Sequence, residues 1–129
     1  MSDSFKAVVI NNESENFSRE VKELNLDHFK DGEVLVKIDY SDLNWKDAMI
    51  LKDGGKLVKE YPRIPGIDFS GTVVQGYGVE FKEGDRVILT GCRAGELFDG
   101  GYAQYTKVKS EHITKTPEGM NNRQAMILG

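Results

Sequence analysis

The segment from Glu33 to Tyr40, EVLVKIDY, carries the clearest structural signal in this sequence. Apolar or aromatic side chains at positions 34, 36, 38 and 40 alternate with Glu33, Leu35, Lys37 and Asp39. Alternation with a period of two is the pattern of a β-strand that buries one face. The segment therefore predicts a half-buried strand, and with it a domain built around a sheet.

Other segments on both sides of this strand also predict strands. They are KAVVI (6–10), DFSGTVVQ (68–75), RVILT (86–90) and YAQYTKV (102–108). Gly71, inside the second of these, predicts a bulge or the close approach of another backbone. Residues 11–19 are polar and predict a loop or a hairpin turn. Many short strands and 14 glycines for tight turns predict a mostly β, mostly antiparallel and barrel-like domain with short helices.

Two segments predict helices. The first covers residues 44–51, with Asn44 as the N-cap, Asp47 three positions later as in a capping box, and Gly54-Gly55 at its end. The second opens near Asn121-Asn122 and leads into the apolar run 126–128. No later segment of this sequence covers that run, so we expect the chain to continue into a longer protein.

Composition excludes several classes of protein. The 129 residues suit one domain, and 17 basic against 21 acidic residues give a net charge of −4, which argues against nucleic acid as the main partner. No apolar run has the length of a membrane helix, and no secretory signal precedes the first strand. Cys92 is the only cysteine, so internal disulfides are excluded and a reducing, cytoplasmic location is expected.

Four ordered blocks make the sequence recognisable: SDLNWKD (41–47), IPGIDFSGTV (64–73), FKEGDRVILTG (81–91) and GGYAQY (100–105). Together they resemble the N-terminal catalytic domain of the medium-chain dehydrogenase/reductase superfamily, and most of all its quinone oxidoreductase-like branch, which includes acrylyl-coenzyme A reductases. The resemblance covers residues 5–129. It implies a GroES-like, partly open barrel over residues 1–129, in which residues 120–129 begin the helix that leads to a Rossmann domain not contained in this sequence.

The resemblance also implies a function. Family members transfer a hydride from NADPH to a quinone or an activated alkene, such as an acrylyl-coenzyme A-type thioester. Gly76-Tyr77-Gly78 begins a GxG pattern, but the third glycine of the dinucleotide-binding motif is absent and the segment is interpreted as a turn. The coenzyme would be bound mainly by the other domain, so we expect this chain alone to be inactive. The substrate would be a small molecule, and the full-length form could be a homodimer.

The same resemblance points to site residues. Asn44, Trp45 and Asp47 are the catalytic candidates, and Asn44, Trp45 and Lys46 are the candidates for coenzyme contact. Tyrosine is usual at the position of Trp45, and an indole cannot supply a proton as a phenol can. The structural alternative is that Asn44 and Asp47 only cap a helix while Trp45 packs in the core.

Gly66 and Arg93 are the candidates for substrate binding. Gly66 would allow the backbone to approach the cleft, and Arg93 would lie in a glycine-rich loop (91–101) at the substrate entrance. The alternatives are a turn that leads into a strand for residues 65–68 and a solvent-facing arginine. Cys92, in the same loop, has no neighbouring histidine in sequence that would make it a nucleophile.

No metal site is expected. Zinc-dependent relatives carry Cys near the position of Asn44 and a His-Glu pair at the position of Ile67-Asp68, and Asp68 alone does not meet the ligand needs of zinc. The two histidines, His28 and His112, lie outside the family blocks. A second function stays open at this point: a free-standing GroES-like module that binds or assembles without catalysis.

Overall fold

The computed structural model describes residues 4–14, 16–30, 32–76 and 80–127. The strands are β1 (Ser4–Glu13), β2 (Asn16–Asn25), β3 (Val34–Ser41), β4 (Asp68–Gly76), β5 (Arg86–Thr90), β6 (Tyr105–Val108) and β7 (Thr114–Lys115). The helices are α1 (Trp45–Asp53) and α2 (Asn122–Ile127), and 3-10 turns cover Leu26–His28 and Ser110–His112. Strands dominate, which confirms the prediction of a mostly β domain with short helices.

Within the part of the chain that the structure describes, the paired strands are all antiparallel. β1 and β2 form a hairpin, and the other strands form one five-stranded sheet in the order β6-β3-β4-β5-β7. An isolated bridge between Ala7 and Ala103, just before β6, connects the hairpin to the edge of the larger sheet. Long-range pairing therefore brings the segments that follow β3, β4 and β5 close together.

The apolar face of β3 forms the centre of the core. Val34 and Val36 are fully buried and pack with Phe69 of β4 and Val87 of β5. The predicted alternation is wrong at two positions, because Leu35 is also buried while Tyr40 is 45% exposed. Leu35 lies where β4 and β6 pair with β3 on both sides, whereas β6 pairs only as far as Lys37, so Tyr40 lies beyond its end.

The prediction of a loop or hairpin turn over residues 11–19 is too broad. Residues 11–13 and 16–19 belong to β1 and β2, and the chain turns at Ser14, which has a positive φ of 50°. β2 is almost entirely exposed, and its Val21 is 71% exposed. A strand with two solvent-facing sides lacks the apolar alternation that sequence analysis relies on.

The last helix corrects one expectation about the apolar run at 126–128. Ala125 and Met126 are buried, and α2 packs on β3, β4 and β5, while Ile127 is 70% exposed. The hydroxyl of Ser70 in β4 donates a hydrogen bond of 2.6 Å to the carbonyl oxygen of Asn122. The rest of the run, residues 128–129, lies outside the described residues, as do residues 77–79 of the GxG segment.

The remaining elements follow the sequence closely. β6 begins at Tyr105, three residues later than predicted, because residues 102–104 instead hydrogen-bond to β1 through the N–H groups of Val8 and Gln104. Among the described residues, no helix is long and apolar enough to cross a membrane.

Gly71 confirms the predicted close backbone approach. A Cβ atom at this position would lie 2.3 Å from the carbonyl oxygen of Lys37 and 2.7 Å from Cγ1 of Val36, both in the neighbouring strand β3. The register between β3 and β4 shifts between Ile38, which pairs with Gly71, and Tyr40. A side chain at position 71 would therefore force the two central strands apart.

We expect Gly71→Ala to lower the free energy of unfolding by about 2–3 kcal/mol, because the sheet must deform to admit the methyl group. Gly84→Ala is the control, since its site has open space and only the positive φ of 92° opposes a side chain, at a cost of about 1 kcal/mol. Urea unfolding of both variants measures the difference. Equal losses would show that β3 and β4 are not packed as described.

Candidate active site

The carboxylate of Asp47 organises the start of α1. It is completely buried. One oxygen accepts a hydrogen bond of 2.9 Å from the backbone N–H of Asn44, the N-cap residue, which is one half of a capping box. The other oxygen accepts a hydrogen bond of 2.8 Å from the backbone N–H of Ile67. Asp47 therefore ties the helix start to the loop that precedes β4, as well as capping the helix.

The side chain of Asn44 links two acidic residues. Its amide nitrogen Nδ2 donates to Oδ1 of Asp42 at 2.8 Å and to Oδ2 of Asp68 at 3.0 Å. Asp68 is buried, and its Oδ1 accepts a hydrogen bond of 2.9 Å from the backbone N–H of Gly91. The prediction that Asp68 belongs only to a turn is therefore incomplete, because this carboxylate connects β4, the N-cap of α1 and the loop after β5.

Asp42 is a member of this cluster that sequence analysis missed. Its Oδ2 atom is buried and has no hydrogen-bond partner among the described residues. Burial and the neighbouring carboxylate of Asp68 raise the pKa of Asp42 to about 6. The Asp-x-Asn spacing at 42–44 was the available signal, since it places two polar side chains just before a helix.

Tyr102 closes the cluster from the segment before β6. Its hydroxyl donates a hydrogen bond of 2.8 Å to the carbonyl oxygen of Asp42. Burial, with the nearby charge of Asp47, raises the pKa of the Tyr102 phenol above its ordinary value of 10. The phenol therefore keeps its proton at neutral pH and acts as a hydrogen-bond donor.

A second buried acid holds Lys46 and Arg93. The carboxylate of Glu96 is buried in loop 91–101 and forms an ion pair with the ammonium group of Lys46. Oε1 of Glu96 also lies 3.5 Å from the guanidinium group of Arg93. Lys46 is therefore not a simply solvated charge, and it links α1 to the loop that follows β5.

Trp45 lies between these fixed residues but does not pack in the core, which corrects the structural alternative given above. Its side chain is 83% exposed at the first position of α1. Leu43, two residues earlier, and Met49, one turn later, are also exposed. An exposed indole flanked by apolar side chains is a surface on which a flat, partly apolar group can pack.

Gly66 lies in tightly packed backbone rather than on an open surface. It is buried with a positive φ of 106°, and a Cβ atom would lie 2.7 Å from the backbone nitrogen of Gly101. Its carbonyl oxygen accepts a hydrogen bond of 3.0 Å from the N–H of Gly101. Gly100 packs on the same backbone, where a Cβ atom would lie 2.0 Å from the carbonyl oxygen of Gly66.

The structure thus brings the predicted residues Asn44, Trp45, Lys46 and Asp47 together with Gly66 and Arg93 through two loops. Loop 91–101 supplies Gly91 and Glu96 as partners, which sequence analysis did not single out. Cys92 and Arg93 are both exposed and have positive φ values of 52° and 60°. Among residues 4–14, 16–30, 32–76 and 80–127, no group of three or more His, Cys, Asp or Glu side chains is arranged to hold a metal ion.

We expect Asp47→Asn to lower the free energy of unfolding by about 2–4 kcal/mol, because an NH2 group would then face a backbone N–H donor in a buried place. Asp53→Asn is the matched control in the same helix, where an exposed carboxylate accepts only the N–H of Gly55, and should cost less than about 1 kcal/mol. Urea unfolding compares them. An equal loss in both variants would contradict the linking role of Asp47.

The raised pKa of Asp42 predicts a pH-dependent stability. A carboxyl that binds its proton more tightly in the folded chain contributes fully below its unfolded pKa of 3.8, and this contribution is lost as the pH rises through about 6. Asp42→Asn should match the unchanged protein at pH 4 and be more stable by about 1–2 kcal/mol at pH 7.5, after allowance for solvent screening.

Unfolding in urea at both pH values measures this difference. Asp27→Asn, at an exposed position in the first 3-10 turn, controls for the loss of one negative charge. If Asp42→Asn were no more stable than the unchanged protein at pH 7.5, the carboxyl would not be held in an unfavourable ionised state.

Comparison with known proteins shows the family to which this chain belongs. Residues 30–118 match the family model of the alcohol dehydrogenase GroES-like domain. The acrylyl-CoA reductase AcuI of Ruegeria pomeroyi is 42% identical over 127 residues, which cover 97% of this chain and 38% of AcuI. The chain therefore spans less than half of the length of this curated relative.

Solved structures give the same result. The yhdH oxidoreductase of Salmonella enterica in complex with NADP superimposes with a TM-score of 0.91 at 35% identity and covers 96% of this chain and 38% of its own. The Bacillus subtilis protein yhfP with NAD bound gives a TM-score of 0.93 at 36% identity, over 99% and 39% of the two chains. The chain belongs to the alcohol dehydrogenase GroES-like domain family, among the oxidoreductases of the medium-chain dehydrogenase/reductase superfamily.

Proposed function

We propose that this chain is the catalytic-domain portion of a zinc-independent, NADPH-dependent oxidoreductase that reduces a quinone or an activated alkene such as an acrylyl-coenzyme A-type thioester. The observation that carries the proposal is the contrast at the start of α1. Asn44, Lys46 and Asp47 are each fixed by buried carboxylates or backbone groups, whereas Trp45 between them is exposed. A reaction between two bound molecules requires that both are held in a fixed geometry. Rigid neighbouring residues and an exposed aromatic side chain meet this requirement.

The residues present at this surface suit a nicotinamide coenzyme. Trp45 would pack on the flat ring, and Asn44 and Lys46 would border it. NADPH supplies a hydride when it is bound. The hydrogen bonds from Asn44 to Asp42 and Asp68 hold its amide in one orientation, so the edge of the site does not need to reorganise when a substrate arrives.

A proton is also required to complete the reduction of a polarised double bond or a quinone. The pKa of Asp42, raised to about 6, lies close to neutral pH, so its carboxyl is our candidate to hold that proton. Tyr102 remains protonated and fixes the backbone at Asp42 through its hydrogen bond. Asp42, held in place by Tyr102, would supply the proton that a tyrosine at position 45 would otherwise supply.

The orientation of Asn44 also supports zinc independence. Its Nδ2 points hydrogens at both Asp42 and Asp68, so a cation placed on these carboxylates would face two N–H donors. Asparagine and isoleucine at positions 44 and 67 offer neither the thiolate nor the imidazole that zinc prefers.

The test is to express the protein from its complete reading frame and follow NADPH oxidation by absorbance with acrylyl-coenzyme A and, separately, with a benzoquinone. We expect turnover with one of the two, unchanged after dialysis against a chelator. The acceptor that is reduced identifies the branch of the family to which the protein belongs. Absence of NADPH binding and of turnover with both acceptors would contradict the proposal and favour a binding module.

Trp45→Ala in the same protein tests the coenzyme surface. We expect the KM for NADPH to rise roughly fivefold to tenfold, the equivalent of about 1–1.4 kcal/mol of lost aromatic contact, while thermal unfolding stays unchanged because the side chain is exposed. Trp45→Tyr should retain most of the affinity. Val21→Ala, at an exposed apolar position on β2, is the control, and an equal effect of both alanine variants would exclude a specific role of the indole.

A further inference from the structure

A cavity lies apart from the candidate active site. It has a volume of about 420 Å³ and is lined by residues 28–30, 32, 60–63, 89, 94, 97–99, 107–109 and 112. This volume lies within the usual range for sites that bind small molecules. None of Asn44, Trp45, Lys46 or Asp47 lines it.

The charge of this cleft is opposite to that of the chain as a whole. Among the described residues, the cationic side chains along its walls are Lys30, Arg63, Lys107 and Lys109, and the acidic ones are Glu60 and Asp99. The chain as a whole carries a net charge of −4. A locally positive cleft on an acidic protein selects for an anion, because the rest of the surface repels it.

Asp99, the half-buried acid in the wall, is already paired. Oδ1 of Asp99 accepts hydrogen bonds from the backbone N–H of Ile64 at 2.9 Å and from Arg63 at 3.4 Å. Oδ2 of Asp99 lies 2.8 Å from Nε2 of His28. Glu60, the other acid, is at the solvent-exposed rim. Neither carboxylate therefore cancels the attraction that Lys30 and Lys109 exert on an incoming anion.

An aromatic wall completes the cleft. The ring of Phe98 lies 5.1 Å from the ring of His112, and the ammonium group of Lys109 lies 5.0 Å from the Phe98 centroid. Leu97 and Val108 add aliphatic surface. A ligand that filled this space would contact an apolar wall with its body and ammonium groups with a charged end.

We infer that this cleft binds a small amphipathic anion: a flat apolar body of about two fused rings that carries a phosphate or a carboxylate. The body would pack against Phe98 and Leu97, and the anionic group would be bound by Lys30 and Lys109. Loop 91–101 contributes to both places, since Glu96 pairs with Lys46 of α1 while its neighbours Leu97 and Phe98 line the cleft. The inference concerns binding alone and does not depend on the proposed reaction.

Titrations of the ¹⁵N-labelled chain, followed by NMR, test this inference with four probes: 1-naphthyl phosphate, 1-naphthoate, 1-naphthol and inorganic phosphate. We expect one of the two naphthyl anions to shift the amide signals of residues 94–99 and 107–112, and to bind at least tenfold more tightly than naphthol or phosphate. The more tightly bound anion identifies the charged group. Equal binding of naphthol would overturn the role of charge, and equal binding of phosphate would overturn the role of the apolar wall.

The double variant Lys30→Gln, Lys109→Gln should weaken binding of the better naphthyl anion at least tenfold. Lys82→Gln, an exposed lysine that does not line the cleft, is the matched control and should change binding less than twofold. Both targeted lysines lie outside the apolar core, and the amide spectrum without probe checks that each variant is folded. Unchanged affinity in the folded double variant, or shifts confined to residues outside the cleft, would overturn the inference.

Discussion

The buried carboxylate of Asp47 is the interaction on which the candidate site depends. It accepts hydrogen bonds from the backbone N–H of the N-cap residue of α1 and from that of Ile67, which lies 20 residues after Asp47 in the chain. A buried carboxylate stabilises the fold strongly when both of its oxygens accept hydrogen bonds. It destabilises the fold when one oxygen has no hydrogen-bond partner. Because Asp47 lies within the helix, its position also sets where Trp45 and Lys46 project.

Glycine supplies the second constraint, since the loop before β4 and loop 91–101 meet with almost no side chains between them. A Cβ atom at Gly100 would lie 2.0 Å from the carbonyl oxygen of Gly66, and one at Gly95 would lie 3.0 Å from the Gly66 nitrogen. This close packing allows the N–H of Gly91 to reach Asp68 and the carboxylate of Glu96 to reach Lys46. The polar cluster and the glycine contacts therefore require each other.

The features that could be predicted from the sequence are those that depend on a few consecutive residues. The strand at 33–40, the N-cap at Asn44 and the close approach at Gly71 each have a signature within a few residues, and the structure confirms them, although Leu35 and Tyr40 depart from the predicted alternation. Sequence analysis missed β2 because an exposed strand has no apolar face to reveal it. It missed Tyr102 because the role of this residue arises from a contact across 60 residues, which no local spacing encodes, and it missed Asp42 although the Asp-x-Asn spacing at 42–44 was a local signal.

The environment of Trp45 shows how folding and function can be separated at one short segment. Residues 44, 46 and 47 have partners that account for their side chains through capping, ion pairing and backbone hydrogen bonds. The indole at position 45 has an exposed fraction of 83%, so burial of apolar surface within this chain does not account for it. A large aromatic side chain that folding does not use, held on a helix end that folding fixes rigidly, is best explained by a group that packs on it from outside this domain.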